Sequence, residues 1–200
     1  MSKTKYITIP VIMIIIISLL LTSCSGADRA SREVEDLRLI TTVGIDRDSG
    51  GIQLTVATQG GVGDGSGGVF TARGQSLAQA IETLRRGFTK GEAFFAHTEH
   101  FLIGSGAYDT LPAVIDFITR STDMRLGVNL FIASNAPAAQ MIQSCQSGES
   151  GICDMLTAMA REAESCGKGK TFTCGDVLER LANGSCALAQ AVSLKPPEEQ

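Results

Sequence analysis

Several signatures of enzyme chemistry are missing from this 200-residue sequence. It contains no G-x-S-x-G and no usable pairing of a cysteine with a histidine, which are common nucleophile arrangements. No two cysteines are spaced as C-x-x-C, and this argues against a zinc cluster built from close ligand pairs. A glycine-rich run over 60–68 lacks a following Gly-Lys-Ser/Thr, so it is interpreted as a flexible loop and not as a phosphate-binding loop. These absences predict a protein that is not an enzyme and uses no cofactor.

The sequence also lacks a basic surplus. It has 17 lysines and arginines against 21 aspartates and glutamates, a formal net charge of −4. Loss of Lys3 and Lys5 with an N-terminal signal would leave a net charge of about −6. Because nucleic-acid binding depends on clustered basic residues, this charge argues against a nucleic-acid partner, and none is expected. The remaining length of about 175 residues suits one domain with its own core.

The N-terminus has the pattern of a lipoprotein signal peptide over 1–23. Lys3 and Lys5 form a cationic start, Ile7 to Leu21 form an apolar run, and small residues precede Cys24. The Cys24 thiol would carry a diacylglycerol, with acyl chains such as palmitate, and two chains anchor a protein stably where one binds only marginally. The alternative is an uncleaved membrane-spanning anchor, but the apolar run of about 15 residues is shorter than the roughly 20 that spanning requires. The small and charged residues over 24–36 are interpreted as a polar tether.

The remaining cysteines leave two alternatives open. Export favours disulfides, but lipidation of Cys24 leaves an odd number, so at least one thiol stays free or pairs with another chain. One or two disulfides are expected in the region from Cys145 to Cys186, and buried free thiols are the alternative. The cysteines concerned are Cys145, Cys153, Cys166, Cys174 and Cys186.

Strand and helix patterns alternate along the mature sequence. Predicted strands cover 37–45, 52–56, 69–71, 93–103, 126–133 and 186–194. Predicted helices cover 77–88, 111–120, 136–145, 152–159 and 176–182. The fold class is therefore α/β or α+β, with a mixed β-sheet and helices packed on it, in a single domain over 37–194 followed by a polar tail over 195–200.

Turn and capping residues support these boundaries. Ser76 with Gln79 forms a capping box at the start of a helix, and Asn183-Gly184 forms a C-cap. The polar segment from Asp46 to Gly51 predicts a hairpin turn, in which Asp46 and Asp48 are turn residues and not calcium ligands.

The two histidines of the sequence, His97 and His100, flank Glu99 and invite a metal or acid–base interpretation. If this segment is a strand, His97 and Glu99 share one face while His100 points to the other, so the two imidazoles cannot converge on one ion. A structural hydrogen bond made by His97 is therefore the favoured interpretation. No catalytic or metal-binding residue is predicted.

The order of several motifs resembles the Ger(x)C spore germination lipoproteins, the C subunits of germinant receptors. The resemblance runs from the signal peptide to about Leu194. It rests on the Cys24 signal, Val43-Gly44-Ile45-Asp46, the segment from Phe95 to Gly104, the run from Asp116 to Arg120, and Met124-Arg125. Family members are longer, with further domains, so the resemblance implies that this chain corresponds to the N-terminal domain.

The resemblance implies a lipid-anchored, non-enzymatic receptor component in nutrient-triggered germination. It would lie at the outer face of the spore inner membrane, attached through the lipid on Cys24, and its partners would be integral membrane subunits. The competing class is a solute-binding lipoprotein of a membrane transporter, although such proteins normally enclose their ligand between two lobes. An envelope hydrolase acting through His97 or Glu99 is the remaining alternative.

Overall fold

The computed structural model of the protein describes residues 37–59, 67–88, 91–145, 151–166, 170–185 and 190–193. The strands are β1 Leu37–Asp48, β2 Gly51–Thr58, β3 Val69–Gly74, β4 Glu92–Phe94, β5 His100–Ile103, β6 Asn129–Ala133 and β7 Gln190–Val192. The helices are α1 Leu77–Gly87, α2 Leu111–Arg120, α3 Ala138–Ser144, α4 Ile152–Ser165 and α5 Cys174–Ala182, with a 3₁₀ turn at Tyr108–Thr110. The predicted signal peptide, Cys24, the tether, Cys186 and the tail lie outside the described residues.

The described strands form one mixed sheet in the order β3-β2-β1-β5-β6-β7, with β4 paired to β1. β1, β2 and β3 are antiparallel neighbours, whereas β1, β5, β6 and β7 are parallel neighbours. Parallel pairs need long crossover connections, and α2 supplies the one between β5 and β6. The predicted fold class, a mixed sheet with helices packed on it, is confirmed.

Strand alternation divides the sheet into two apolar faces. Neighbouring residues such as Phe101 and Leu102, or Leu130 and Phe131, belong to different core clusters because successive side chains point to opposite sides. The first face packs on α1, α2 and α5. The second face packs on α3 and α4. Both faces are therefore covered by helices.

The position of α3 depends on Asp46 near the end of β1. Its side chain is buried, and its carboxylate accepts hydrogen bonds from the backbone N–H groups of Ala138 at 2.7 Å and Ala139 at 2.8 Å. Free N–H groups at a helix start favour a negative charge, so this carboxylate caps α3. The interpretation of Asp46 as a turn residue is wrong, because the hairpin turn is only Ser49 and Gly50 and β1 continues to Asp48.

Two glycines make room for this contact. A Cβ at Gly44 would lie 2.6 Å from Ile142 Cδ1 and 3.1 Å from Ala138 Cβ, so α3 packs directly on the β1 backbone there. A Cβ at Gly104 would overlap the Asp46 carboxylate. The close approach of α3 to the sheet therefore requires glycine at both positions.

The predicted strand over 93–103 is two strands. β4 pairs with the start of β1 and β5 pairs with Thr42–Ile45, so both lie along the same edge of β1. Between them the chain leaves the sheet, with Phe95 buried in the first core and the Thr98 hydroxyl donating to the Ile40 carbonyl at 3.3 Å. A register shift in β1 between Ile40 and Thr42 accompanies this excursion.

Two further predicted boundaries are wrong. The strand predicted over 126–133 begins only at Asn129, because Leu126 lies in a turn with 49% of its surface exposed and its carbonyl accepts from Gly175 N–H. The last helix begins at Cys174, two residues earlier than predicted, because Thr173 caps it.

The cap of α1 and the end of α5 agree with the sequence. The Ser76 hydroxyl accepts from the Gln79 N–H, and the α5 cap residue Asn183 is followed by Gly184 with φ of 69°. None of the described helices combines the length and apolarity needed to cross a lipid bilayer.

Gly104→Ala is expected to lower the free energy of unfolding by about 1–3 kcal/mol, since the added methyl group meets the Asp46 carboxylate in a packed site. The measurement is urea unfolding of the full chain. Gly106→Ala is the matched control, because its Cβ would have no neighbour within 4 Å. Equal stability of the two variants would contradict the role of Gly104.

The Asp176 carboxylate predicts an acid-dependent loss of stability. It accepts from Lys170 Nζ at 2.6 Å and from Thr173 N–H at 2.9 Å, and these contacts lower the pKa of Asp176 to about 2 from its usual 3.8. A lowered folded-state pKa contributes stability above about pH 3.8 that is lost as the pH falls toward 2. Asp176→Asn is expected to reduce stability at pH 6 and to flatten this acid limb.

Urea unfolding at pH 6 and near pH 2 tests this prediction, with the exposed Asp123→Asn as control. An acid limb that is the same in wild type and Asp176→Asn would refute it.

Candidate functional site

A polar cluster interrupts the apolar second face of the sheet where α4 packs on it. Beside the cluster a cleft of about 370 Å³ opens between the first turns of α4 and strands β1 and β2. Its charged lining residues are Glu99, Asp154 and Arg161. This is the candidate functional site.

His100 is the buried centre of the cluster, with 1% of its surface exposed. Its Nδ1 lies 3.3 Å from Asn129 Nδ2, and its Nε2 lies 2.9 Å from Thr157 Oγ1 on α4. Because an amide NH₂ can only donate, Nδ1 accepts and Nε2 carries the proton that is donated to Thr157. Burial lowers the pKa of His100 from its usual 6.5, against the opposing effect of the Glu99 carboxylate. The imidazole is therefore neutral at pH 7.

Cys153 enters the cluster from the first turn of α4. Burial, together with the negative charge of Glu99, raises the pKa of its thiol to about 11, with the Thr42 hydroxyl acting in the opposite direction. The thiol is protonated at neutral pH. Thr42 Oγ1 is fully buried and, within the described part of the chain, has no hydrogen-bond partner.

Glu99, His100 and Cys153 bring three potential metal ligands together. Their ligand atoms lie within 4.8 Å of one another, and Glu99 Oε2 is 3.9 Å from His100 Nε2. A carboxylate oxygen, an imidazole nitrogen and a cysteine sulfur are all groups that Zn²⁺ accepts. The spacing and the chemistry of these three side chains are therefore suitable for binding a metal ion.

The structure reverses part of the sequence interpretation of the histidines. His97 lies exposed in the turn after β4, with its ring 6.0 Å from that of Phe94, and it is not part of the cluster. The histidine with the structural role that was expected of His97 is His100. Glu99 and His100 do not point apart, because Glu99 precedes β5 and is not bound by strand alternation.

The sequence pattern alone does not connect Cys153 with this site. Cys153 follows Glu99 by more than 50 residues, and only the packing of α4 on β5 brings them together. No local spacing carries that signal.

The four described cysteines, Cys145, Cys153, Cys166 and Cys174, are free thiols, so the disulfides expected among them are wrong. Cys174 is buried in the first core, whereas Cys145 packs on the second, so the sheet lies between them. Cys145 instead contacts Met155, with its Sγ 3.7 Å from Sδ. The fifth cysteine, Cys186, lies outside the described residues.

The described chain forms a mixed α/β domain with a polar histidine and cysteine cluster on the second face of its sheet. Its sequence matches the family model for the spore germination protein N-terminal domain over residues 30–194. The chain belongs to this family. The recognition made from its motifs is confirmed, and the match supports a germination role related to the germinant receptors. No curated protein and no solved structure matches the chain significantly.

The free thiols are expected to differ widely in their reaction with iodoacetamide in the presence of a chelator. Cys166 is exposed and should react first, while burial raises the pKa values of Cys153 and Cys174 to about 11 and keeps them as unreactive thiols. Peptide mass spectrometry of the labelled full chain measures the order.

Denaturation without reductant is the control, and it should make all four described cysteines reactive. A pair that stays unmodified under those conditions would reveal a disulfide and contradict the structure.

Proposed function

We propose that this chain is a lipid-anchored, non-enzymatic component of a spore germinant receptor, which takes part in nutrient-triggered germination with integral membrane subunits. The single observation that carries the proposal is the family match over residues 30–194. The proposed location is the outer face of the spore inner membrane, with attachment through the lipid on Cys24.

The tether has a physical purpose. A diacylglycerol on Cys24 would keep the domain at the membrane with two chains. Holding a binding surface beside membrane partners makes their association nearly intramolecular and raises its effective concentration. The residues over 24–36 would separate the folded domain from the lipid headgroups.

The described site supports action by contact more than by chemistry. Both ring nitrogens of His100 are engaged by Asn129 and Thr157, and the Cys153 thiol is protonated at neutral pH. Neither group is prepared as a nucleophile or a general base. We therefore propose that an exposed surface of the domain docks on the integral subunits.

The first test is the intact mass of the chain expressed in a spore-forming host. Wild type is expected to lose residues 1–23 and to gain a diacylglyceryl group on Cys24, because the thiol is the lipid acceptor. Cys24→Ala should retain residues 1–23 and should not co-purify with integral germination subunits. Cys166→Ser is the matched control, since this exposed cysteine at the end of α4 lies far from the signal peptide in sequence and its variant should be processed like wild type.

An unlipidated wild-type protein, or full assembly and function of Cys24→Ala, would overturn the proposed tether. A saturable rise in melting temperature with an amino acid or a sugar, in a chain that has no co-purifying subunit, would replace the receptor proposal with the solute-binding class.

A further inference from the structure

We propose that Glu99, His100 and Cys153 form a binding site for one divalent transition-metal ion, with Zn²⁺ as the ion that fits best. The ligand atoms already lie within 4.8 Å of one another, although they come from α4, from β5 and from the residue before β5. This inference does not depend on the proposed receptor function.

The ligand chemistry selects the ion. Thiolate sulfur and imidazole nitrogen are ligands for Zn²⁺ and similar ions, whereas Ca²⁺ and Mg²⁺ prefer oxygen throughout. Tetrahedral Zn²⁺ places its ligand atoms about 3.5 Å apart, given zinc–ligand distances of roughly 2.0–2.3 Å. The required contraction is small, and Glu99 can provide it because its side chain is 59% exposed. Water completes the fourth position.

The surroundings of the cluster fit a bound metal. Asn129 contacts Nδ1 of His100, and after rotation of its amide the side-chain oxygen accepts from Nδ1–H, the usual orientation for a metal-bound histidine. The buried Thr42 hydroxyl, which has no hydrogen-bond partner among the described residues, lies beside Cys153 and can donate to a thiolate. A metal-bound Cys153 thiolate therefore gives the buried Thr42 hydroxyl a strong acceptor.

Metal binding would change the protonation of Cys153 and the tautomer of His100. Cys153 releases its thiol proton to solvent, and its sulfur binds the ion. His100 stays neutral, since its proton moves from Nε2 to Nδ1 and Nε2 becomes a ligand. Thr157 loses its contact with Nε2 and turns its hydroxyl away. The metal then links α4 to β5 beside the cleft.

The test is a Co²⁺ titration of the full chain, purified in detergent without metal and under reducing conditions. Wild type is expected to bind one equivalent, with a thiolate-to-cobalt charge-transfer band and a rise in melting temperature. Cys153→Ser should lose the band, whereas Cys166→Ser, at an exposed cysteine just after the same helix, should keep it. Circular dichroism checks the folding of each variant.

Two further variants change side chains that lie outside the core or at its edge. Their effects on metal binding can therefore be separated from folding defects. Glu99→Gln, at an exposed position, is expected to weaken Co²⁺ binding at least about tenfold. Thr157→Val removes the competing partner of Nε2 and should leave metal affinity unchanged or higher.

No charge-transfer band in wild type, or a band that survives Cys153→Ser, would overturn the site. Weaker binding in Thr157→Val would overturn coordination through Nε2.

Discussion

A buried carboxylate near the end of the central strand organises one side of this domain. Asp46 accepts from the first two N–H groups of α3, and these charge-assisted bonds form only if the helix start lies against β1. Gly44 removes the side chain that would separate α3 from the strand, and Gly104 leaves space for the carboxylate. Without this contact, α3 would no longer be fixed in position against the apolar second face.

The motif residues behind the family resemblance therefore have a structural explanation. Val43 and Ile45 point into the first core, whereas Gly44 and Asp46 alternate onto the second face and hold α3. Gly104, at the end of the other motif, fits against the same carboxylate. These residues define a scaffold and not a reaction centre. Specific function is then expected on surfaces that this scaffold positions.

Local signals predicted most of the elements, because capping and alternation are recorded in neighbouring residues. Ser76 and Asn183-Gly184 marked helix ends correctly. The alternating pattern gave wrong strand boundaries where tertiary contacts override it. Phe95 is apolar because it is buried in the core from the segment that leaves the sheet between β4 and β5. Leu126 continues the alternating pattern of a strand, although it lies exposed in a turn. The cluster was not predictable, since Cys153 meets Glu99 and His100 only when α4 packs on the sheet.

The excursion between β4 and β5 also explains why the cluster lies where it does. It ends at Glu99, whose N–H donates to the Thr41 carbonyl and whose carbonyl accepts from Asn129, so its backbone is fixed between β1 and β6 while its side chain stays 59% exposed. His100 follows as the first residue of β5 and is fixed by burial. A buried imidazole and a largely exposed carboxylate therefore face the thiol that α4 carries, and the contact of His100 with Thr157 joins this end of β5 to α4.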